Sequence, residues 1–268
     1  MWKLTIYNKE KNMKHLCIMM VLMMFVVSMA HALKEPEESM ILYMSFDTVD
    51  GKNTIDHSKY GNNGEMAGAP EHVDGKFGKA LQFDGQNDWV EIPHDDSLTV
   101  DKDFTVMAWI NPERITGPND AQWQGILAKS NNPRSYSFYT ERNSNCLHLS
   151  VGGGSVCQGD IVLNEWQHVV GQMEAGTHRY YINGENVGES GGKQNPPGKA
   201  DTATVVIAKT HEGNRQFLGL IDEVRIWNRA LSEEEVIEQM ESGHFELFPV
   251  DPRHKAATTW GTIKSRKQ

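Results

Sequence analysis

The feature that most constrains this chain is a long run of short segments in which apolar and polar residues alternate with a period of two. KALQFD (79–84) leads through Gly85-Gln86-Asn87 into DWVEI (88–92). In DFTVMAWI (103–110), Phe104, Val106, Ala108 and Ile110 alternate with Thr105, Met107 and Trp109. QGILAK (124–129), SYSFYTE (135–141), CLHLSV (146–151), EWQHVVGQM (165–173), HRYYI (178–182), ENVGES (185–190), ATVVIAK (203–209) and FLGLIDEVRIW (217–227) continue it. Period two places alternate side chains on opposite faces of a strand. Asn183-Gly184 sits between two such runs and predicts a type I′ hairpin, which needs positive φ at both turn positions. Many short strands broken by Gly, Asn and Asp, with no βαβ rhythm, predict an all-β sandwich or barrel. A single helix is predicted. Ser232 and Glu235 form a capping box, Val236, Ile237 and Met240 share a face, and Gly243 is its stop. The helix is expected against one end of the sandwich.

The N-terminus sets the compartment. Lys9, Lys11 and Lys14 precede the apolar run 16–30, and Ala30-His31-Ala32 supplies small residues for cleavage. That is the pattern of a secretory signal peptide over residues 1–32, with cleavage after Ala32. The run is shorter than a bilayer span of ~20 residues, so no membrane insertion is expected. Met13 is an alternative start to Met1. Residues 33–39 read as a linker, 40–243 as the domain, and 244–268, ending in KSRKQ, as a C-terminal tail. Cys17 leaves with the leader, so Cys146 and Cys157 remain, and two cysteines in an exported chain predict a disulfide. They lie on neighbouring strands or on one strand and its following loop; a free buried pair is the alternative. A zinc site is not expected, because the two thiols lack a CxxC half-site.

Charge narrows the partners. The whole chain carries a net −10. Without the four Lys and one Glu of residues 1–32, 22 Lys and Arg face 35 Asp and Glu. Such a surface repels nucleic-acid phosphates and anionic membranes, so no nucleic-acid partner is expected. Neutral or cationic ligands and divalent cations suit it, although acidity also simply keeps an exported protein soluble.

The order of motifs resembles a known family. ILYMSFDT (41–48), DHSKYGNNGEM (56–66), GKFGKALQFDGQNDWVEI (75–92), DFTVMAWINPE (103–113), EWQHVVGQM (165–173), YINGENVG (181–188) and GLIDEVRIWNRALSEEEV (219–236) follow one another as in the laminin G-like jelly rolls of the concanavalin A-like lectin superfamily. The resemblance spans roughly residues 40–240. It implies a two-sheet antiparallel jelly-roll sandwich with one short C-terminal helix, in keeping with the strand pattern.

Chemistry has little support. Glycan hydrolases of that superfamily need paired carboxylates on one strand face, about 5–5.5 Å apart for retention. Neither E-x-D-x-E nor E-x-D-x-x-E occurs. Glu233-Glu234-Glu235 falls in the first turn of the helix, where it favours the dipole. Asp222 and Glu223 are adjacent, so they are expected on opposite faces, unable to pair. G-x-S-x-G and H-E-x-x-H are absent, and His148 and His168, mid-strand, are expected to be hydrogen-bonded packing residues.

Binding sites are left. Trp123, in the long loop after residue 110, is placed either to stack on a sugar ring or to begin the next strand and pack inward. THEGNR (210–215) offers His211, Asn214 and Arg215 to hydroxyls, or is a solvated hairpin turn. Trp89, Trp109, Trp166 and Trp227 read as core. The resemblance also implies a calcium ion near the first and last strands. Asp47, Asn63 and Asp222 are its candidate side-chain ligands, with carbonyls and water completing the shell; turn capping is the alternative role. The expected function is a secreted non-catalytic module that recognises polysaccharide or a cell-surface glycoprotein. A structural or adhesive domain docking a protein partner is the alternative, and glycan hydrolysis a distant third.

Overall fold

The computed structural model describes residues 36–130, 133–152, 156–191 and 195–244. The leader expected at 1–32, the start of the linker and residues 245–268 of the tail lie outside the described residues. Pro36 to His244 form one unit. Its strands are Met40–Asp50 (β1), Asn53–Asp56 (β2), Gly64–Ala67 (β3), Glu71–Asp74 (β4), Lys79–Asp84 (β5), Trp89–Ile92 (β6), Phe104–Pro112 (β7), Trp123–Lys129 (β8), Arg134–Glu141 (β9), Cys146–Gly152 (β10), Cys157–Gln158 (β11), Gln167–Glu174 (β12), Thr177–Ile182 (β13), Glu185–Ser190 (β14), Val205–Ile207 (β15) and Leu218–Trp227 (β16), followed by the helix Glu233–Glu241 (α1).

Hydrogen bonding runs antiparallel in the order β11-β10-β9-β8-β15-β6-β3-β2-β1-β16-β7-β12-β13-β14, with β5 also paired to β16 and β4 to β5. This path turns back on itself as a two-layer sandwich. Alternation decides which side chains meet inside. Phe104, Val106, Ala108 and Ile110 of β7 and Val169 of β12 face Tyr136 and Phe138 of β9 and Leu147, Leu149 and Val151 of β10 in one apolar cluster. Gly171 in β12 marks how closely the layers approach: a Cβ there would lie 3.0 Å from the Phe138 ring. Of the four tryptophans expected in the core, Trp109 and Trp227 are buried, on the opposite face of their strands, while Trp89 and Trp166 are only half-buried, and none of the four belongs to the main apolar cluster. Phe77 packs edge-on to Trp109, and the Lys76 ammonium lies 4.3 Å over its ring.

The β13–β14 hairpin has positive φ at Asn183 (52°) and Gly184 (81°), as a type I′ turn demands. In α1, Ser232 accepts from the Glu235 amide and Glu235 answers to the Ser232 amide, completing the capping box. The helix stops at Ser242, one residue before Gly243. Val236 is buried, whereas Ile237 is 40% exposed. Ile237 and Met240 lie against the hairpin tip, 3.3 and 3.4 Å from where a Cβ on Gly184 would sit.

His168 in β12 is buried beside Trp109, ring centroids 5.4 Å apart, and its Nδ1 has no hydrogen-bond partner. It packs as expected, without the full hydrogen bonding expected of it. Burial, reinforced by the Arg225 charge, pushes its pKa down to about 3. The unfolded chain takes up that proton near 6.5, the native one only near 3. Below 6.5 the unfolded state therefore binds more protons, and stability is lost as pH falls. Between pH 7 and 4.5 this group is expected to cost about 2–3 kcal/mol, from roughly two pH units at about 1.4 kcal/mol each. Urea midpoints at the two pH values, with His168→Gln for comparison, check it. An equal pH slope in both proteins would refute the assignment.

Candidate functional site

Among the described residues, two clusters of polar side chains outside the apolar core hold the candidate site residues. The first is on the outward face of β8, β9 and β10. The sequence puts Tyr136 and Phe138 inward, so Ser135, Ser137, Tyr139 and Glu141 point the other way. Trp123 opens β8 opposite Glu141 and is half-buried, so it belongs to a strand but not to the core. The Arg215 guanidinium lies 4.4 Å over the Trp123 ring and 5.6 Å over Tyr139. Tyr139 in turn stacks on His148, 5.1 Å between centroids and 2° from parallel. Glu212 pairs with Arg134 and, at 3.4 Å, with Arg215. Arg134 also donates to Ser150 Oγ at 3.0 Å.

The 208–216 connection is held down on this face and is not a free turn. The Gly125 amide donates to the Arg215 carbonyl at 2.7 Å. Only Gly213 and Asn214 stand fully exposed at its tip, with Asn214 at φ 58°. A Cβ on Gly125 would collide with the backbone of Lys209, so only glycine lets the connection settle there. His211 is half-buried, its Nε2 2.9 Å from the Thr204 carbonyl. The structure thus joins Trp123 and Arg215 directly and sets His211 and Asn214 on the connection above them. Tyr139, Arg134 and Glu212 complete the cluster and were missed. Only Tyr139 carried a signal, its phase opposite to Tyr136 and Phe138; Arg134 shares their phase and Glu212 lies in the connection.

The second cluster lies where β16 changes partners. Residues 218–221 pair with β5 and residues 224–227 with β1, so Asp222 and Glu223 fall at the changeover. The register on the β7 side also shifts between Asp222 and Arg225, and Glu223 has φ 52°. This bulge corrects the expectation that the two acids face apart: Ile221 and Val224 both turn into the core, leaving Asp222 and Glu223 together outside it. On β1, Phe46 at φ 57° brings Asp47 to the same breach. The 75–79 segment closes it: Asp222 Oδ2 accepts from the Phe77 amide at 3.0 Å, and Asp47 Oδ1 from the Lys79 amide at 2.9 Å. A Cβ on Gly75 would sit 2.6 Å from Asp222 Oδ2, and one on Gly78 would collide with Asp47. Asp47 Oδ2, Asp222 Oδ1 and Glu223 Oε1 are each buried without a hydrogen bond. Burial, together with Glu223 and Asp47 nearby, pushes the Asp222 carboxyl up to about 8. Asn63 Oδ1 accepts from the Asp56 amide at 2.9 Å, and Glu223 is the third carboxylate near Asp47 and Asp222.

Cys146 and Cys157 form a disulfide between β10 and β11, with Cα atoms 5.5 Å apart. Among the described residues no helix is long and apolar enough to cross a membrane.

Comparison with known proteins places the fold. A family model described as "Concanavalin A-like lectin/glucanases superfamily" matches residues 84–237, more than half of the chain. Adhesion G-protein coupled receptor V1 of Danio rerio is 24% identical over 148 residues, covering 50% of this chain but 2% of the receptor. Among solved structures, domain 4 of the extracellular GH43 arabinanase AbnA from Geobacillus stearothermophilus, in complex with arabinotriose, aligns with a TM-score of 0.61 at 21% identity, covering 75% of this chain and 98% of that one. The binding domain of Paraclostridial Mosquitocidal Protein 1 gives 0.62 at 17%, with 76% and 52% covered. A Trypanosoma rangeli sialidase with the inhibitor DANA gives 0.56 at 15%, with 75% and 32% covered. These likenesses establish the fold, which both binding domains and glycoside hydrolases use.

Proposed function

The chain belongs to the concanavalin A-like lectin/glucanase superfamily, and from that premise we propose that it is a non-catalytic module that binds glycan on the outward face of β8, β9 and β10. The observation carrying this reading is the Trp123–Arg215–Tyr139 stack held by the Arg134–Glu212–Arg215 ion pairs. Aromatic rings offer apolar faces to sugar C–H groups, and fixed guanidiniums offer planar donors to hydroxyls or carboxylates. Partial burial means these geometries are formed before ligand arrives, which lowers the ordering cost of binding. Asn214 at the exposed tip adds an amide that can donate and accept. The arabinotriose complex of the arabinanase domain supports the same substrate class. The missing paired-carboxylate motif, and the engagement of Glu212 by two arginines, favour binding over hydrolysis. Resemblance to an adhesion receptor favours a second reading, a domain that docks a protein or glycoprotein.

A glycan array probed with the folded protein, followed by calorimetry on the strongest hits, tests the proposal. Trp123→Ala and Arg215→Ala are each expected to weaken binding at least tenfold, about 1.4 kcal/mol. No glycan bound above background, or unchanged affinity in both variants, would overturn it.

We also propose that a calcium ion is held at the β16 changeover. The three buried orphan oxygens of Asp47, Asp222 and Glu223 and the glycine cradle of 75–78 fit a hard cation that takes oxygen ligands, with carbonyls and water completing the shell. Bound there, the ion neutralises mutual repulsion among the three acids. Export is part of the same proposal, and the Cys146–Cys157 disulfide suits an oxidising compartment.

A further inference from the structure

The β10–β11 hairpin places more than a disulfide together. Antiparallel pairing sets Cys146 opposite Glu141 and His148 opposite Cys157. The ligand atoms of Glu141, Cys146, His148 and Cys157 all lie within 4.8 Å of one another. The cysteines lack a CxxC half-site, but two strand ladders do the work that close spacing does elsewhere. Cys146 and His148, two apart on β10, share a face, and β9 and β11 bring one ligand each.

Each partner is held in place. Glu141 is 6% exposed, and its Oε1 accepts from Gln122 Nε2 at 2.8 Å and from the Asn143 amide at 3.2 Å. The Tyr139 ring fixes the plane of His148. Glu141 Oε2 faces Cys146 Sγ at 3.9 Å and Cys157 Sγ at 4.0 Å. Disulfide sulfurs carry no hydrogen, so neither can donate to that buried oxygen. A metal ion, or a pair of thiols, can satisfy it.

We propose that in its dithiol form this hairpin binds one zinc-class divalent cation through Cys146, Cys157, His148 and Glu141, so that disulfide formation and metal binding exclude each other. A dithiol or phosphine reductant supplies two electrons that break the S–S bond, and water or the reductant supplies two protons. The reductant ends as its cyclic disulfide or phosphine oxide. Metal binding then releases both thiol protons to solvent. Two sulfurs, one imidazole nitrogen and one carboxylate oxygen make a closed tetrahedral set for zinc. Ligand atoms in such a set stand roughly 3.3–3.8 Å apart for bonds of about 2.0–2.3 Å, so the four groups need to close by about 1 Å.

The test uses the full chain. Protein reduced with a phosphine and desalted without oxygen is titrated with Co²⁺. One equivalent is expected to bind, with sulfur-to-cobalt charge transfer and the visible bands of tetrahedral cobalt, and Zn²⁺ should displace it. His148→Ala and Glu141→Gln are each expected to weaken cobalt at least about tenfold, the scale on which even supporting groups act. Zn²⁺ should raise the melting temperature of reduced protein and leave that of oxidised protein unchanged. Equal binding by the oxidised protein overturns the proposal, as does unchanged binding in both variants. A reduced chain that neither takes up cobalt nor gains a melting transition with Zn²⁺ overturns it too.

Discussion

Replacing Arg225 by Met is expected to destabilise the domain by about 3–5 kcal/mol, the scale for leaving a buried charge without its partner. Arg225 is 1% exposed. Its Nη2 donates to Glu223, to Tyr43 Oη at 3.2 Å and to the Ser242 carbonyl at 2.6 Å, and its Nη1 to the Gln239 carbonyl at 2.6 Å. The guanidinium also lies 4.5 Å over the Tyr43 ring. Methionine fills much of the same volume but takes away every donor. Glu223 would then keep only the Tyr43 hydroxyl, at 2.6 Å, against burial that already pushes its carboxyl upward. Two carbonyls at the end of α1 would lose their partners as well, so the helix should fray with the loss. Urea denaturation followed by circular dichroism measures the cost. Adding Glu223→Gln to Arg225→Met should recover part of it, because the stranded charge is the larger penalty. Simple additivity of the two substitutions would show that packing alone sets the effect.

This network shows where sequence reasoning succeeds and where it stops. Period two located β5, β7, β9, β10 and β16 to within a residue or two, because each buries one face and exposes or covers the other. β2, β3, β4 and β11 were missed. They are four residues long or fewer and, unlike the equally short β6 and β15, hold at most two apolar residues each, too few for alternation to register. Trp109 and Trp227 are buried as expected, but not within the main apolar cluster. Trp109 obeys the alternation that puts Phe104, Val106, Ala108 and Ile110 inside, and so must face outward. Its burial comes from the 76–77 segment folding over that face, a contact remote in sequence.

The site residues follow the same division. Asp47 and Asp222 were legible as first-strand and last-strand acids, and Cys146 and Cys157 by elimination of Cys17. Asn63 was drawn in by nearness along the chain to β1, yet its amide oxygen serves the 56–63 turn. Glu223 was excluded by the rule that adjacent strand residues face apart. A bulge suspends that rule, and nothing in the local composition announces one at a non-glycine residue with positive φ. Glu141 and His148 gained a shared partner only through ladder register, which one sequence does not display. For Glu223, Glu141 and His148 the missing information was the register between paired strands.

The bulge carries the second large effect. Asp47 comes from β1 and Asp222 from β16, so a cation between them ties the first strand to the last. An ion that binds only the folded state stabilises by RT ln(1 + [L]/Kd), about 2.7 kcal/mol at a hundredfold excess over Kd. For a domain of this size that corresponds to a rise of about 5–10 °C in Tm. Stripped protein is therefore expected to melt at least that much lower than protein with excess calcium. Asp222→Asn separates the ion from the strand pairing. Asparagine keeps an acceptor for the Phe77 amide, which donates to Asp222 at 3.0 Å. It removes one of three mutually repelling buried acids. In metal-free buffer the variant should match or exceed the parent, since Arg225 pairs with Glu223 alone and leaves Asp47 and Asp222 beside it. In excess calcium the order should reverse, because the parent gains the ion and the variant has lost a ligand. Differential scanning calorimetry of both proteins, with chelator and with calcium, reads the crossing directly. Parallel shifts in the two proteins, or one melting curve for the parent in both media, would mean that Asp47 and Asp222 serve only to anchor the 75–79 backbone.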